Sequence, residues 1–426
     1  MLAKSLSRLL LALLVTLNAS LLTACLWDSD TRSMEEKAFP DALALITGGF
    51  LRHSPEFYEW RIEDRLAKIE KTPDKLELYD DLAVAYEKTG QTEKAIEVMQ
   101  QIEARDPDRY ETLANLGTFY VHHGELERGL VYIDKALEVN PDAHFGRERY
   151  QKYVVEYVIS KKAFDPSELP LDAESLRWRG GQAVGFTQFL FSQLSLETPQ
   201  GADSVDPELK KQQDAEVKKA TQGLLGMMRF GNHDSPILLE CLGDLLIYGE
   251  EEDAHRQLAS RSYLKASYEL ESSVVADGYL DLCYPAVGSI YSPAQGDSLE
   301  FPEFEKRFQE EMTAADGWVQ TVFDDERKWI AEGVDVEQKY AEKYYSAPPP
   351  VPDVEEAYSG QGPTGPQEEK KLIQRAIFIA KILTFGLFLV ILFAGLRILK
   401  YFRNKSQTTE SPQSMIGKVL PQMKKE

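Results

Sequence analysis

Apolar residues return at helical intervals over most of this chain. Leu82, Ala83 and Tyr86 lie on one face of a first helix. Ala95, Ile96, Met99 and Ile102 mark the buried face of a second, running from about Glu93 to Arg105. Gly90 falls between the two, where a left-handed turn residue lets the chain reverse. Asp106-Pro107 ends the second helix, because the residue before proline is pushed out of the helical region. The pattern then recurs with Leu113, Leu116, Gly117 and Tyr120, followed by Gly124, Gly129 and Ile133, and stops at Asn140-Pro141. Pro73-Asp74, Pro107-Asp108 and Pro141-Asp142 keep a period of 34 residues. A fixed period in this range predicts stacked repeats, since a hairpin with two apolar faces cannot bury both alone. Ala83 and Gly117 are small where paired helices must come close.

Helical patterning extends to both sides. A pair is predicted at about 40–51 and 55–71, the second opened by Ser54-Pro55-Glu56 as cap, first-turn proline and acid. With Pro73 closing it, 42–75 reads as a divergent first unit. A helix over Phe145 to Lys162, with Tyr150, Val154, Tyr157 and Val158 on one face, is expected to cover the far end of the stack. Further helices are predicted near 173–195, 207–229, 236–249, 252–271 and 303–345. Tyr279 to Phe301, with Pro285, Pro293, Gly288 and Gly296, is expected to be an ordered loop.

The repeat spells Tyr79-x2-Leu82-Ala83-x2-Tyr86, Gly90, Ala95-x3-Met99 and Pro107, then Leu113-x2-Leu116-Gly117-x2-Tyr120, Gly124, Gly129-x3-Ile133 and Pro141. This resembles the tetratricopeptide repeat family. Leu239-x2-Leu242-Gly243-x2-Leu246 resembles one degenerate hairpin of the same kind. The resemblance implies an all-α helical-hairpin solenoid over 40–162, a further helical region over 163–346, and a protein-binding scaffold without chemistry of its own. It also implies a concave peptide-binding groove lined from the first helices. At helical spacing its residues are Asp80, Val84 and Glu87, then Glu111, Asn115, Thr118 and His122, then Arg149 and Lys152. Some family members clamp a peptide carboxylate there. Asn115 and Arg149 fit that pattern, whereas Asp80, Val84 and Phe145 depart from it.

The chain's ends bear on location. Lys4 and Arg8 precede an apolar run from Leu9 to Leu22, the layout of a secretory signal over 1–24. The run ends Leu22-Thr23-Ala24-Cys25, which resembles a bacterial lipobox and implies lipid attachment at Cys25. A tether at 25–39 follows. Near the other end, Ala376 to Leu396 has 21 residues with Lys381 the one charge, enough to span roughly 30 Å of bilayer core. A Pro/Gly-rich stalk at 347–370 precedes it and a basic tail at 397–426 follows. These features predict a protein of the bacterial cytoplasmic membrane with its large domain in the periplasm and its tail in the cytoplasm.

Charge and chemistry narrow the function. The formal net charge is −22, and both membrane-flanking ends are basic, so the region between them is more acidic still. Such a surface repels nucleic acid. The six histidines fall in no metal-ligand spacing, and neither a phosphate loop nor a nucleophile motif is present, so no cofactor is expected. Cys241 and Cys283 allow one disulfide or two free thiols. The leading expectation is a scaffold that binds proteins or peptides through its groove. An enzyme with its site in 163–346, and a subunit of a secretion or transport complex, stand as alternatives.

Overall fold

Ser54 opens a 17-residue helix by accepting the Phe57 N–H at 3.1 Å, with Pro55 in the first turn where its missing N–H costs nothing. A computed structural model describes residues 42–141, 146–161, 169–172, 183–198, 205–248, 253–288, 291–292, 297–298 and 300–345. The signal, Cys25, the tether, the stalk, the membrane segment and the tail expected from the sequence all lie outside these residues. The chain divides into two units, 1–354 and 355–426, and every described residue belongs to the first. Among the described residues no helix is long and apolar enough to cross a membrane.

The described fold is helical apart from a two-residue antiparallel ladder, Tyr291–Ser292 with Asp297–Ser298. The helices are α1 (Ala42–Thr47), α2 (Pro55–Lys71), α3 (Glu77–Lys88), α4 (Thr92–Glu103), α5 (Tyr110–His122), α6 (Leu126–Val139) and α7 (Arg147–Lys161). There follow α8 (Gly185–Leu194), α9 (Pro207–Phe230), α10 (Pro236–Tyr248), α11 (Asp253–Tyr268), α12 (Ser273–Gly288), α13 (Phe301–Glu332) and α14 (Val336–Tyr340). A π-helical turn, Ala341–Tyr345, continues α14.

Two hairpins, α3/α4 and α5/α6, form the repeats. Gly90 and Gly124 turn them at φ +73° and +85°, a region that side chains with a Cβ rarely occupy. Ala83, Val84, Ala95, Met99, Leu116 and Phe119 close the core between them. In the second hairpin the backbones themselves meet: a Cβ built at Gly117 would lie 2.8 Å from Ile133 Cγ1, and one at Gly129 would lie 3.0 Å from the Gly117 carbonyl.

Four expectations need correction. The six-residue α1 does not fold back on α2 as a repeat hairpin; it packs on α9, α11 and α13, while α2 pairs with α3. Helix α7 does not end the stack either. Its Tyr150, Val154, Tyr157 and Val158 are buried, and α8 and α9 cover it from beyond the array. Tyr279 to Gly288 is helical rather than looped, because Tyr279, Leu282, Cys283, Ala286 and Val287 bury an apolar face that outweighs Pro285 in the last turn. Lastly, the single helix expected over 303–345 breaks at Gly333, φ +67°, where the Gly333 and Val334 N–H groups bond back to Ile330 and Trp329.

The region beyond the repeats is organised by two buried acids one turn apart on α10. Glu240 accepts the N–H groups of Leu171 and Asp172 at 2.9 and 3.1 Å and the Tyr279 hydroxyl at 2.8 Å. Asp244 accepts the Phe186 N–H at the start of α8 and the Tyr263 hydroxyl, each at 2.8 Å. Gly243 between them leaves room for the Tyr263 ring, whose Cε1 would lie 2.5 Å from a built Cβ. Cys241 and Cys283 are both buried and both free thiols.

Candidate functional site

The nine residues expected to line a groove come from the first helix of each repeat, and the structure places most of them in contacts between helices. Arg109 grips both carboxylate oxygens of Asp80, one at 2.7 Å. Glu87 Oε1 meets His122 Nδ1 at 2.6 Å. Thr118 accepts from Gln151 Nε2 at 3.1 Å. These bonds span 29, 35 and 33 residues, close to one repeat, so they join α3 to α5 and α5 to α7 as a polar ladder.

The ladder closes the surface expected to be open. Asp80, Val84, Asn115, Thr118 and His122 are all buried, and Asn115 is 0 % exposed with its amide nitrogen 3.7 Å from the Met99 sulfur. Asn115 therefore does not stand ready to grip a peptide backbone. Helical spacing selects a face, but the face toward the neighbouring hairpin and the face toward a groove lie only about 100° apart on a helix. Glu111, Arg149 and Lys152 keep exposure at the rim, with Lys152 donating to Asp134 at 2.6 Å and Arg149 outermost. Burial alone would raise the Glu87 carboxyl, but His122 outweighs it and holds the group below its ordinary range.

A second polar cluster lies where α2 meets the C-terminal helices, and the sequence reading did not single it out. Glu326, 0 % exposed in the apolar stripe of α13, bonds His53 Nδ1 and accepts the Ser54 N–H at 2.7 Å. The His53 ring stacks on Phe57 at 3.7 Å and lies 4.2 Å from the Tyr340 ring. Glu337 accepts from Arg61 at 3.0 Å and also pairs with Arg65, while Arg65 reaches on to Asp81 of α3 at 2.8 Å. The Coulombic pull of Asp81 and Glu337 on Arg65 exceeds the opposing effect of burial, so its guanidinium is held above its ordinary range. One visible signal was the acid Glu326 inside an otherwise apolar heptad-like stripe of Ala315, Val319, Val322 and Trp329.

Among the described residues no group of three His, Cys, Asp or Glu side chains is placed to hold a metal ion. The array's identity rests on α3 and α4. The family model for the tetratricopeptide repeat matches residues 76–109, which contain both helices and the turn at Gly90. Residues 76–109 are a tetratricopeptide repeat. No curated protein matches the chain. Tetratricopeptide repeats generally bind other proteins. In that repeat Asp80, Val84 and Glu87 contribute to stacking on the next hairpin rather than to an open cleft.

Proposed function

We propose that this protein is a non-enzymatic scaffold of the bacterial cell envelope, which recruits other proteins through its tetratricopeptide surfaces. The observation that carries this reading is the repeat at 76–109, locked to the following hairpin by the Asp80–Arg109 and Glu87–His122 bonds. A ladder of this kind gives a stiff platform, and a stiff platform loses little conformational entropy when it binds. Glu111, Arg149 and Lys152 on its rim offer charges of both signs to a partner. Lipid attachment at Cys25 and a membrane helix over 376–396 would hold the platform on the periplasmic side of the cytoplasmic membrane. The sequence supports both anchors through Leu22-Thr23-Ala24-Cys25 and the 21-residue apolar run.

Affinity purification of the tagged full chain from solubilised membranes tests the reading. Partners should be retained by wild type and reduced when Glu111, Arg149 and Lys152 are replaced together by Ala, with the thermal midpoint unchanged. Capture of no protein by wild type, under crosslinking as well as without it, sinks the scaffold reading. Partners held equally by both chains would move the contact away from the rim.

A further inference from the structure

Glu240 and Asp244, one turn apart on α10, are buried at 0 and 1 % exposure. Among the described residues neither pairs with a Lys, Arg or His side chain. The groups that face them are Asp172, Tyr157 from α7, Tyr263 from α11, Tyr279 from α12 and Cys241 on α10 itself. All of these can only turn negative, and Lys161 answers Asp172 at 3.1 Å rather than either buried acid. Two carboxylates in such a place cannot both be charged, because no cation offsets the second desolvation. One of them holds a proton.

Hydrogen bonding decides which. Both Glu240 oxygens accept backbone N–H groups: Oε1 from Asp172, and Oε2 from Leu171 together with the Tyr279 hydroxyl. A backbone N–H can only donate, so each oxygen is fixed as an acceptor and the charged form is favoured. Asp244 differs. Its Oδ2 accepts the Phe186 N–H, but its Oδ1 meets the Tyr263 hydroxyl at 2.8 Å, and a hydroxyl can accept as well as donate. Asp244 is also the acid that bears most on Tyr157, whose hydroxyl is buried and makes no hydrogen bond among the described residues.

We propose that at neutral pH Asp244 is a neutral acid with its proton on Oδ1, that Glu240 is its charged neighbour, and that this one proton latches α8 to α10. Removing it sets two negative charges one turn apart in the core. The direct relief is to lift α8, whose start lies against the carboxylate: a Cβ at Gly185 would fall 2.0 Å from Asp244 Oδ2. Because α8 covers α7 beyond the repeats, the latch makes that cover sensitive to alkaline pH. Burial pushes both acids above their ordinary range, so their contribution is full below that range and fades as pH rises. The second ionisation follows the first, above about pH 7.

The test uses the full chain in detergent. Asp244→Asn places an amide donor opposite Tyr263 and keeps an acceptor for Phe186, so it should melt with wild type at about pH 7.5. Glu240→Gln turns a donor onto a backbone N–H and should melt several degrees lower. From there to about pH 9.5, wild type should lose more of its midpoint than Asp244→Asn. Hydrogen exchange, corrected for its intrinsic rate, should quicken over 186–194 in wild type alone. An Asp244→Asn chain that melts as low as Glu240→Gln, or that declines in parallel with wild type as pH rises, overturns the latch. Infrared spectra of wild type read the proton without a variant. The C=O band of a neutral carboxylic acid should persist at about pH 8, where exposed carboxyls are charged, and its absence there overturns the proposal.

Discussion

At Gly117 a side chain has no place to go. A Cβ there would meet Ile133 Cγ1 at 2.8 Å and the Ile133 backbone nitrogen at 3.1 Å, so at least the backbone contact would force α5 and α6 apart. Gly117→Leu is expected to cost about 1–3 kcal/mol or more through overpacking. Thermal unfolding of wild type and variant checks it, and an unchanged midpoint would contradict the close crossing. Glu240 makes a prediction about pH. Burial pushes its carboxyl from the ordinary 4.5 up to about 7, against the pull of its backbone and hydroxyl donors. The folded chain therefore holds the proton more tightly than the unfolded one. That contribution is full below about pH 4.5, falls as pH rises and is gone above about 7. Acidification from pH 7.5 to 5 should stabilise wild type more than Glu240→Gln. Urea unfolding at the two pH values reads the difference, and parallel shifts in the two proteins would refute it.

At the scale of elements, α13 is a 32-residue helix whose apolar buried side is interrupted by two acids. Glu311 answers Arg261 at 2.6 Å, and Glu326 answers His53 and Ser54. Each acid ties the helix to a different part of the chain. Removing Glu326 leaves the Ser54 N–H and a buried imidazole without that carboxylate, so Glu326→Ala should cost roughly 3–5 kcal/mol. The loss should appear at the start of α2 and along 319–329 when hydrogen exchange is compared with wild type. Loss of protection confined to exposed turns elsewhere would show that the α13–α2 tie contributes little.

Across the whole molecule, the described chain closes on itself: α1 packs on α9, α11 and α13, and α14 returns to α2. The proposed anchors make a separable prediction. One acyl signal binds membranes marginally, whereas a transmembrane helix is effectively irreversible. Cys25→Ser should abolish metabolic lipid labelling and leave the protein in the membrane fraction. Labelling that persists in the variant, or is absent from wild type, refutes lipid attachment at Cys25.

The local pattern by itself determined the two repeats. The 34-residue period, Gly90 and Gly124 at the turns, and Gly117 at the crossing are short-range requirements of helix and turn, and all are visible in linear order. The helices over 207–229 and 236–249 were legible for the same reason, since apolar periodicity over 13 residues or more leaves few alternatives. Only the tertiary structure decided what each face meets. Asn115 and Thr118 carry the same helical spacing whether they face a peptide or a neighbouring hairpin, and here the neighbour covers them. Likewise Glu337 looks like an ordinary surface acid until the fold brings its partners from 272 and 276 residues away. Distant pairing leaves no local periodicity to read.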